Sequence, residues 1–448
     1  MLYAEIRRLI EAGRLAPGTK LPTTRDLATR LNLSRGAAVA AFEMLLADGF
    51  AVARVGSGTF VADQVPHVSR MASKEAEPAA LSVAVAHAVL PGELGIARAD
   101  PRTMRILRGL LNRSLARPTP SFFGYGDPRG GHELREAVAD YLRVARGVRC
   151  HSEQVVMTSG SQQALDLIIR AALIPGDHVW IEDPCYPKAR AAFVAAGIGL
   201  APVPVDREGL DPAAGAARAP HARAVYVTPS HQFPLGTTLS MRRRLDLIDW
   251  ARRADAWIIE DDYDSEFRYS GPPLTSLQGI DEGQRVIYVG TLSKALFPGL
   301  RAGYLVAPEA LLNAIKAVRD RIDRFPSALI EGALTEFLRE GHFASHLRRA
   351  RRHARASRDA LVEGLSHGPL AVTAPDQGLH LIAQLPFNME DREAVTSARH
   401  AGLGARALSP MYLEAPARQG LVIGFSGFEP AVIETVARRW TSRLRRPR

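Results

Sequence analysis

The sequence predicts a multidomain protein: a small all-α N-terminal module bearing a two-stranded wing, then a larger α/β domain with a largely parallel sheet. Three observations predict it. Three short helical patterns and a glycine-rich hairpin crowd into the first 63 residues. A stretch rich in Pro, Ser, Ala and charge follows, with Pro66, Ser69, Ser73, Lys74, Glu75, Glu77 and Pro78, which is the composition of a linker. Beyond it, short β-branched runs alternate with helical patterns, as expected of strands buried on both faces by crossover helices. The expected division is 1–63 for the module, 64–95 for the linker and 96–448 for the large domain, with a small C-terminal subdomain from about residue 325.

From Leu2 to Ala12 the apolar residues Leu2, Ile6, Leu9 and Ile10 recur at helical spacing, and Gly13, Pro17 and Gly18 end the run. The pattern starts directly behind Met1, which leaves room for a longer first helix upstream. A second helix fits Thr24 to Leu31 with Thr23 as N-cap, and a third fits Arg35 to Asp48 with Ser34 as cap and Gly49 as terminator. Phe50 to Arg54 and Thr59 to Ala62 read as strands joined by Val55-Gly56-Ser57-Gly58, whose glycines permit a tight hairpin. Together these make a winged helix-turn-helix. In the large domain the strand-like runs are Val155 to Met157, Val179 to Ile181, Ala224 to Val227, Trp257 to Ile259 and Val286 to Val289.

A chain of 448 residues with 46% hydrophobic content can bury a large core. Its formal charge of +10 suits a polyanionic partner. Cys150 and Cys185 form neither a disulfide framework nor a metal-ligand cluster, so no metal is expected and both read as small core thiols. No run approaches the roughly 20 apolar residues that span a bilayer, and Glu5, Arg7 and Arg8 follow Met1 where a signal peptide would be apolar. A cytoplasmic protein is expected.

A helix-turn-helix puts its useful cations at helix starts and on the wing. Arg25 opens the second helix, Arg35 opens the third, and Arg54 lies on the wing beside the small residues Gly56 and Ser57. The run LPTTRDLATRLNLSRGAAVAAFEMLLADGF, then VGSGTF, resembles the GntR family of winged regulators from Leu21 to Val61. The resemblance implies double-stranded operator DNA as partner, met by Thr23, Thr24, Arg25, Ser34, Arg35 and the wing. One departure stands out. Gly36, Ala37 and Ala38 occupy positions where the family usually has hydroxyl side chains, so base reading is expected to be poor or limited to thymine methyls.

In open α/β sheets ligands bind beyond the carboxyl ends of strands. Ser159-Gly160-Ser161-Gln162-Gln163 follows the first strand and opens a helix, a setting suited to phosphate. Tyr186 follows the second; Asp261, Asp262 and Tyr263 follow the fourth; Thr291, Ser293 and Lys294 follow the fifth, with Arg301 beyond. A lysine for a Schiff base, a carboxylate for a pyridine nitrogen, an aromatic ring for stacking, and hydroxyls with an arginine for phosphate are what pyridoxal phosphate requires. Each alone also fits an ordinary loop or turn. Their joint order is what singles out the cofactor.

The motifs YGDPRGGHELREAVADYL, SGSQQALDLI, EDPCYP, TPSHQFPLG, EDDYDSEFRY and GTLSKALFPGLRAGY resemble fold-type I aminotransferases, and specifically the aminotransferase-like half of MocR-type regulators. The resemblance implies Lys294 as the catalytic, aldimine-forming residue, Asp261 at the pyridine nitrogen, Tyr263 at the ring hydroxyl and Tyr186 on the ring face. The phosphate would meet Ser161, Gln162, Thr291, Ser293 and Arg301. Tyr125 matches a tyrosine that reaches the partner subunit's cofactor, which implies a homodimer. Where aminotransferases carry Asn-Pro the text is Ser230-His231-Gln232-Phe233-Pro234, so either His231 or Gln232 substitutes at the ring hydroxyl or that contact is lost. The carboxylate-binding arginine expected near Leu421 to Ser426 is replaced by apolar residues, leaving Arg418 or Lys188 as stand-ins. Arg348, Arg349, Arg351, Arg352, His353, Arg355 and Arg358 read as a helix with a solvated or interface face rather than a second DNA patch.

The function implied is a DNA-binding transcription regulator that senses the cofactor, or a small amine or amino-acid effector, through external aldimine formation. The alternative is a catalytically active aminotransferase with an autoregulatory DNA-binding module. A cofactor-free scaffold is disfavoured by the joint presence of Lys294, Asp261, Tyr263 and Arg301.

Overall fold

The computed structural model describes residues 2–65, 89–98, 100–118, 120–272, 274–386 and 389–444. The chain divides into two compact units, residues 1–86 and 87–448.

The first unit is the expected winged helix-turn-helix. Helices α1 (Leu2–Glu11), α2 (Thr24–Arg30) and α3 (Arg35–Ala47) precede the antiparallel pair β1 (Ala51–Arg54) and β2 (Gly58–Val61). Ile6, Ile10, Leu21, Phe42, Leu45, Phe50 and Val61 form its core, so the 3.6-residue spacing of α1 does face inward. Gly56 and Gly58 adopt φ of 74° and 109° at the wing tip, where a β-carbon would be strained.

The second unit is built on a sheet of eight strands in the order β3-β10-β9-β8-β7-β4-β5-β6. These are β3 (Val155–Thr158), β4 (His178–Asp183), β5 (Gly199–Asp206), β6 (Gly209–Leu210), β7 (Ala224–Val227), β8 (Trp257–Asp262), β9 (Val286–Thr291) and β10 (Gly303–Val306). The pairs β4/β5, β4/β7, β7/β8 and β8/β9 are parallel, whereas β10 runs antiparallel between β9 and β3. Strands β3, β7 and β9 are buried along their whole length, the reason their sequences read as unbroken apolar runs. A second, antiparallel sheet follows in the order β11-β12-β14-β13: β11 (Ala371–Val372), β12 (His380–Gln384), β13 (Arg406–Ala407) and β14 (Gly420–Gly424). Helices His342–Ser366 and Pro430–Leu444 cover one face of it through Leu361, Ile433 and Trp440.

The structure corrects the expectations at two places. Residues 64–95 do not all behave as linker. Gly92 lies against the backbone of Gly404, and Glu93 and Leu94 lie against Gly424, so the polypeptide joins the large unit before residue 95. Residues 66–88 lie outside the described residues. The arginine-rich run, expected as a solvated or interface face, is divided: Arg348, Arg352 and Arg355 are exposed, whereas the other arginines are tied down within the unit. Arg349 pairs with Asp100 at 2.7 Å, Arg351 donates to the Glu266 carbonyl, and Arg358 reaches Asp359 and the Pro375 carbonyl over the Tyr269 ring. Cys150 and Cys185 are buried, and burial pushes their thiols up to about 11 and about 12.

Candidate functional site

Two groups of residues stand out, one in each unit. In the winged unit, Thr23 caps α2 by accepting from Asp26 N at 3.1 Å, and Ser34 caps α3 by accepting from Ala37 N at 3.2 Å. Both hydroxyls therefore support the helices that carry Arg25 and Arg35. These two arginines are exposed, and among the described residues neither forms an ion pair. Arg54 is less free: its guanidinium sits 4.7 Å from the Phe60 ring centroid and 3.9 Å from Asp63. Thr24 is half-buried, and Gly56 and Ser57 form the open wing tip. Ala38 is a core residue, so only Gly36 and Ala37 of the small-residue stretch face outward. Lys20, which carried no motif, bridges to Phe60 and adds a cation beside the wing.

In the large unit a cavity of about 210 Å³ opens at the carboxyl ends of the strands, lined in part by Ser161, Tyr186, Asp261, Tyr263 and Lys294. Alternation along β8 decides which acid faces it. Glu260 accepts from the backbone N–H groups of Leu277 and Gln278, and Asp262 accepts from Arg146 at 2.7 Å and from the Tyr288 hydroxyl. Asp261 turns the other way. Its Oδ2 accepts from the Tyr226 hydroxyl at 2.6 Å while its Oδ1 is buried without a partner. Burial raises the Asp261 carboxyl to about 6, with the neighbouring Asp262 charge adding to the effect. Burial likewise depresses the Lys294 ammonium, against the opposing pull of Asp264 and Asp261.

The remaining residues surround this pair. Tyr186 meets Phe233 edge-on at 5.4 Å, and the Tyr263 hydroxyl lies 3.1 Å from His231 Nδ1. His231 Nδ1 also lies 3.0 Å from Asp264, and its Nε2 is buried without a partner. Gln232 donates to the carbonyls of Pro184 and Phe233 and so is committed to the backbone, which leaves His231 as the polar group of that loop beside Tyr263. Ser161 opens the helix Ser161–Ala172 behind Gly160, an N-cap with φ 122° and no side-chain cap, and Gln162 follows it. A β-carbon on Gly160 would lie 3.5 Å from the Arg301 guanidinium. Thr291 and Ser293 both donate to the Ala302 carbonyl at 3.3 Å. Helix start, arginine and hydroxyls thus flank one corner suited to a dianion.

Three expected residues fall elsewhere or on the rim. Tyr125 is 82% exposed and packs with Phe325 and Arg324, outside the cavity of its own chain. Arg418 lines a different cavity, with Leu235, Gln384 and Leu408. Lys188 does line the Lys294 cavity, and so does Arg406, which no motif announced. Tyr226, Gly95 and His380 were also missed; only Tyr226, at the end of an apolar strand, offered a signal, as a polar group in a run otherwise β-branched.

Residues 1–61 match the family of bacterial regulatory proteins of the gntR type, and residues 101–401 match the aminotransferase class I and II family. Across both, the chain is 37% identical to the probable rhizopine catabolism regulatory protein MocR of Rhizobium meliloti, covering 96% of this chain and 90% of that one. The chain belongs to the MocR-type GntR regulators. This regulator family also supplies the pyridoxine biosynthesis transcriptional regulator PdxR of Corynebacterium glutamicum, 32% identical over 97% of this chain and 93% of that one. Among solved structures an archaeal alanine:glyoxylate aminotransferase superposes with a TM-score of 0.74 at 26% identity, covering 80% of this chain and 91% of that one. The α-aminoadipate aminotransferase LysN of Thermus thermophilus does so with a TM-score of 0.70 at 27% identity, covering 78% and 92%. The regulator therefore joins a DNA-binding module to a pyridoxal-phosphate-binding aminotransferase fold. The residues present fit that cofactor: the orphaned Asp261 Oδ1 supplies an acceptor for a ring N–H, Lys294 lines the same cavity, and the Gly160 turn with Arg301 forms the anion corner. Among the described residues no helix is long and apolar enough to cross a membrane.

Proposed function

We propose that this regulator is a cytoplasmic homodimer that senses a small amine-bearing effector at Lys294 and transmits its arrival to two winged modules on operator DNA. The observation that carries the reading is the pairing of Lys294 with Asp261 in one cavity, on a chain that also carries exposed Arg25 and Arg35 at helix starts. Pyridoxal phosphate, when bound, supplies a carbonyl carbon that exchanges one amine for another. Lys294 would hold the cofactor through its amine, and burial works against the charged form of that amine. Asp261 holds the ring nitrogen's proton, Tyr263 with His231 orients the ring hydroxyl, and Tyr186 covers one ring face. Ser161, Gln162, Thr291, Ser293 and Arg301 bind the phosphate.

Tyr125 supports a second copy, because so exposed a tyrosine has no role in its own cavity and matches one that serves the partner's phosphate. On the DNA side, Arg25, Arg35, Arg54, Thr24, Gly56 and Ser57 contact the duplex, with Thr23 and Ser34 holding the helix starts. Differential affinity of the effector for two arrangements of the dimer is what makes such a sensor work.

The test uses the full chain and its own upstream DNA, with and without pyridoxal phosphate and candidate amines. Binding that changes on adding an amine is expected. A wild type that purifies colourless and ignores added cofactor sinks the sensing half, and one that shifts no DNA sinks the other.

A further inference from the structure

The small sheet turns one face to the Lys294 cavity. On it, Ile382 of β12 pairs with Val422 of β14, and both belong to the apolar cluster that includes Phe233, Tyr186 and Tyr263, which line that cavity. Leu421 and Ile423 point to the opposite face, into the helix-covered core. The site-facing position of β14 is therefore Val422, whose isopropyl group offers nothing to an anion. Directly across the ladder from Val422 stands Arg406 of β13. Paired residues of an antiparallel ladder share a face, with β-carbons about 5 Å apart.

Arg406 lines the Lys294 cavity, and so does Lys188. Among the described residues neither forms an ion pair. Asp261, the acid that lines the same cavity, is bonded to Tyr226. Asp264 is bonded to His231 and to Leu379 N. Arg406 and Lys188 thus stand at this cavity as cations without an ion-pair partner, and the Arg406 charge lies close enough to reinforce the burial that depresses Lys294. Arg418, the alternative from the sequence, opens on a different cavity.

We propose that Arg406 is the anion anchor of this cavity, one strand removed from Val422, so that the effector is an amino compound that also carries a carboxylate. This rests on the reading of Lys294 as an amine-accepting site. The amine meets the Lys294 end, the carboxylate meets the Arg406 guanidinium, and Lys188 adds positive charge at the same mouth. A neutral amine gains nothing from Arg406. The anchor therefore separates amino acids from simple amines.

The experiment titrates the full-length, cofactor-loaded protein with L-alanine, β-alanine and ethylamine, following the absorption band of the lysine-bound cofactor. A second readout is thermal stabilisation by propionate, which has the carboxylate and no amine. The expected result is half-saturation by one of the amino acids well below that for ethylamine. In Arg406→Ala that preference falls roughly ten-fold, the worth of one hydrogen bond between charged groups, ethylamine is unaffected, and propionate no longer stabilises. Arg406→Lys recovers part of each. Equal responses of wild type and Arg406→Ala to both amino acids overturn the proposal, as does a preference that only Lys188→Ala removes. A wild type that responds to every amine without regard to the carboxylate overturns this inference alone. One that shows no lysine-bound band overturns the reading beneath it as well.

Discussion

A β-carbon added at Gly95 would collide with Lys294 Nζ. Gly95, near the start of the large unit's described residues, thus packs beside the cofactor lysine. Gly95 also adopts φ of 77°, which a side chain disfavours. In Gly95→Ala the methyl group displaces the lysine's amine end, and its strained backbone costs about 1 kcal/mol or more. Cofactor uptake, read by the appearance of the absorption band, is expected to weaken at least several-fold while far-ultraviolet circular dichroism is unchanged. Uptake identical to wild type would show that this close approach is idle.

Tyr226 is the donor to Asp261 Oδ2, and the partnerless Oδ1 is left for the ring nitrogen. Tyr226→Phe removes that donor from a buried carboxylate at a cost of about 1.5–3 kcal/mol and drives the Asp261 pKa further up. The expected outcome is weaker cofactor retention on dilution, short of the loss seen in Asp261→Asn or Lys294→Ala, with the band of Lys294→Ala absent altogether. Retention unaltered in Tyr226→Phe would mean that Asp261 does not depend on this bond.

Burial raises Asp261 to about 6 and Glu182 and Glu260 to about 7, from ordinary values of 3.8 and 4.5. In each case the folded state holds its proton more tightly than the unfolded chain. These groups therefore favour folding fully below about pH 4, and the contribution is lost as pH rises through about 6 to 7. Two consequences follow with opposite slopes. Thermal unfolding of the cofactor-free protein should lose part of its stability between pH 5 and 8, because three buried carboxyls ionise there. Cofactor retention should instead fail as pH drops below about 6, because a protonated Asp261 no longer pairs with the ring cation. Asp261→Asn should flatten the second profile; a wild-type retention curve level from pH 7.5 to 5 would remove Asp261 from the role.

Much of this site was legible because its chemistry sits where parallel strands end. Lys294, Asp261 and Tyr263 are polar residues placed just beyond apolar strand runs, and alternation along β8 is enough to send Asp261 to the cavity and Asp262 to Arg146. Arg406 was not legible. Its strand is two residues long, and its position depends on pairing with Val422, a contact between distant parts of the chain that no local pattern records. Gly95 was hidden for a related reason: Pro91, Gly92 and Gly95 look like linker residues, and only the packed structure shows that Gly92 and Gly95 are glycines for close approach. Thr23 and Ser34 carried two meanings at once, cap and contact, and their bonds to Asp26 N and Ala37 N give the first priority.

That double meaning can be separated by mutation. Ser34→Ala removes the α3 cap and should lower the stability of the winged unit by about 1 kcal/mol, with DNA binding reduced in step. Arg35→Ala and Arg25→Ala remove exposed cations that among the described residues have no ion-pair partner, so the melting temperature should hold while DNA affinity falls. If the lost contact is to a phosphate, the slope of log affinity against log salt should drop by about one and all sequences should weaken alike; if to a base, one operator position should lose its preference. Arg54→Ala should matter less, since its guanidinium already leans on Phe60 and Asp63. Gly36 completes the test, because a β-carbon there meets nothing within 4 Å. Gly36→Ala should stabilise α3 by up to about 1 kcal/mol without harming DNA binding. A loss of binding in Gly36→Ala would instead mean that the α3 backbone approaches the duplex there too closely for any side chain.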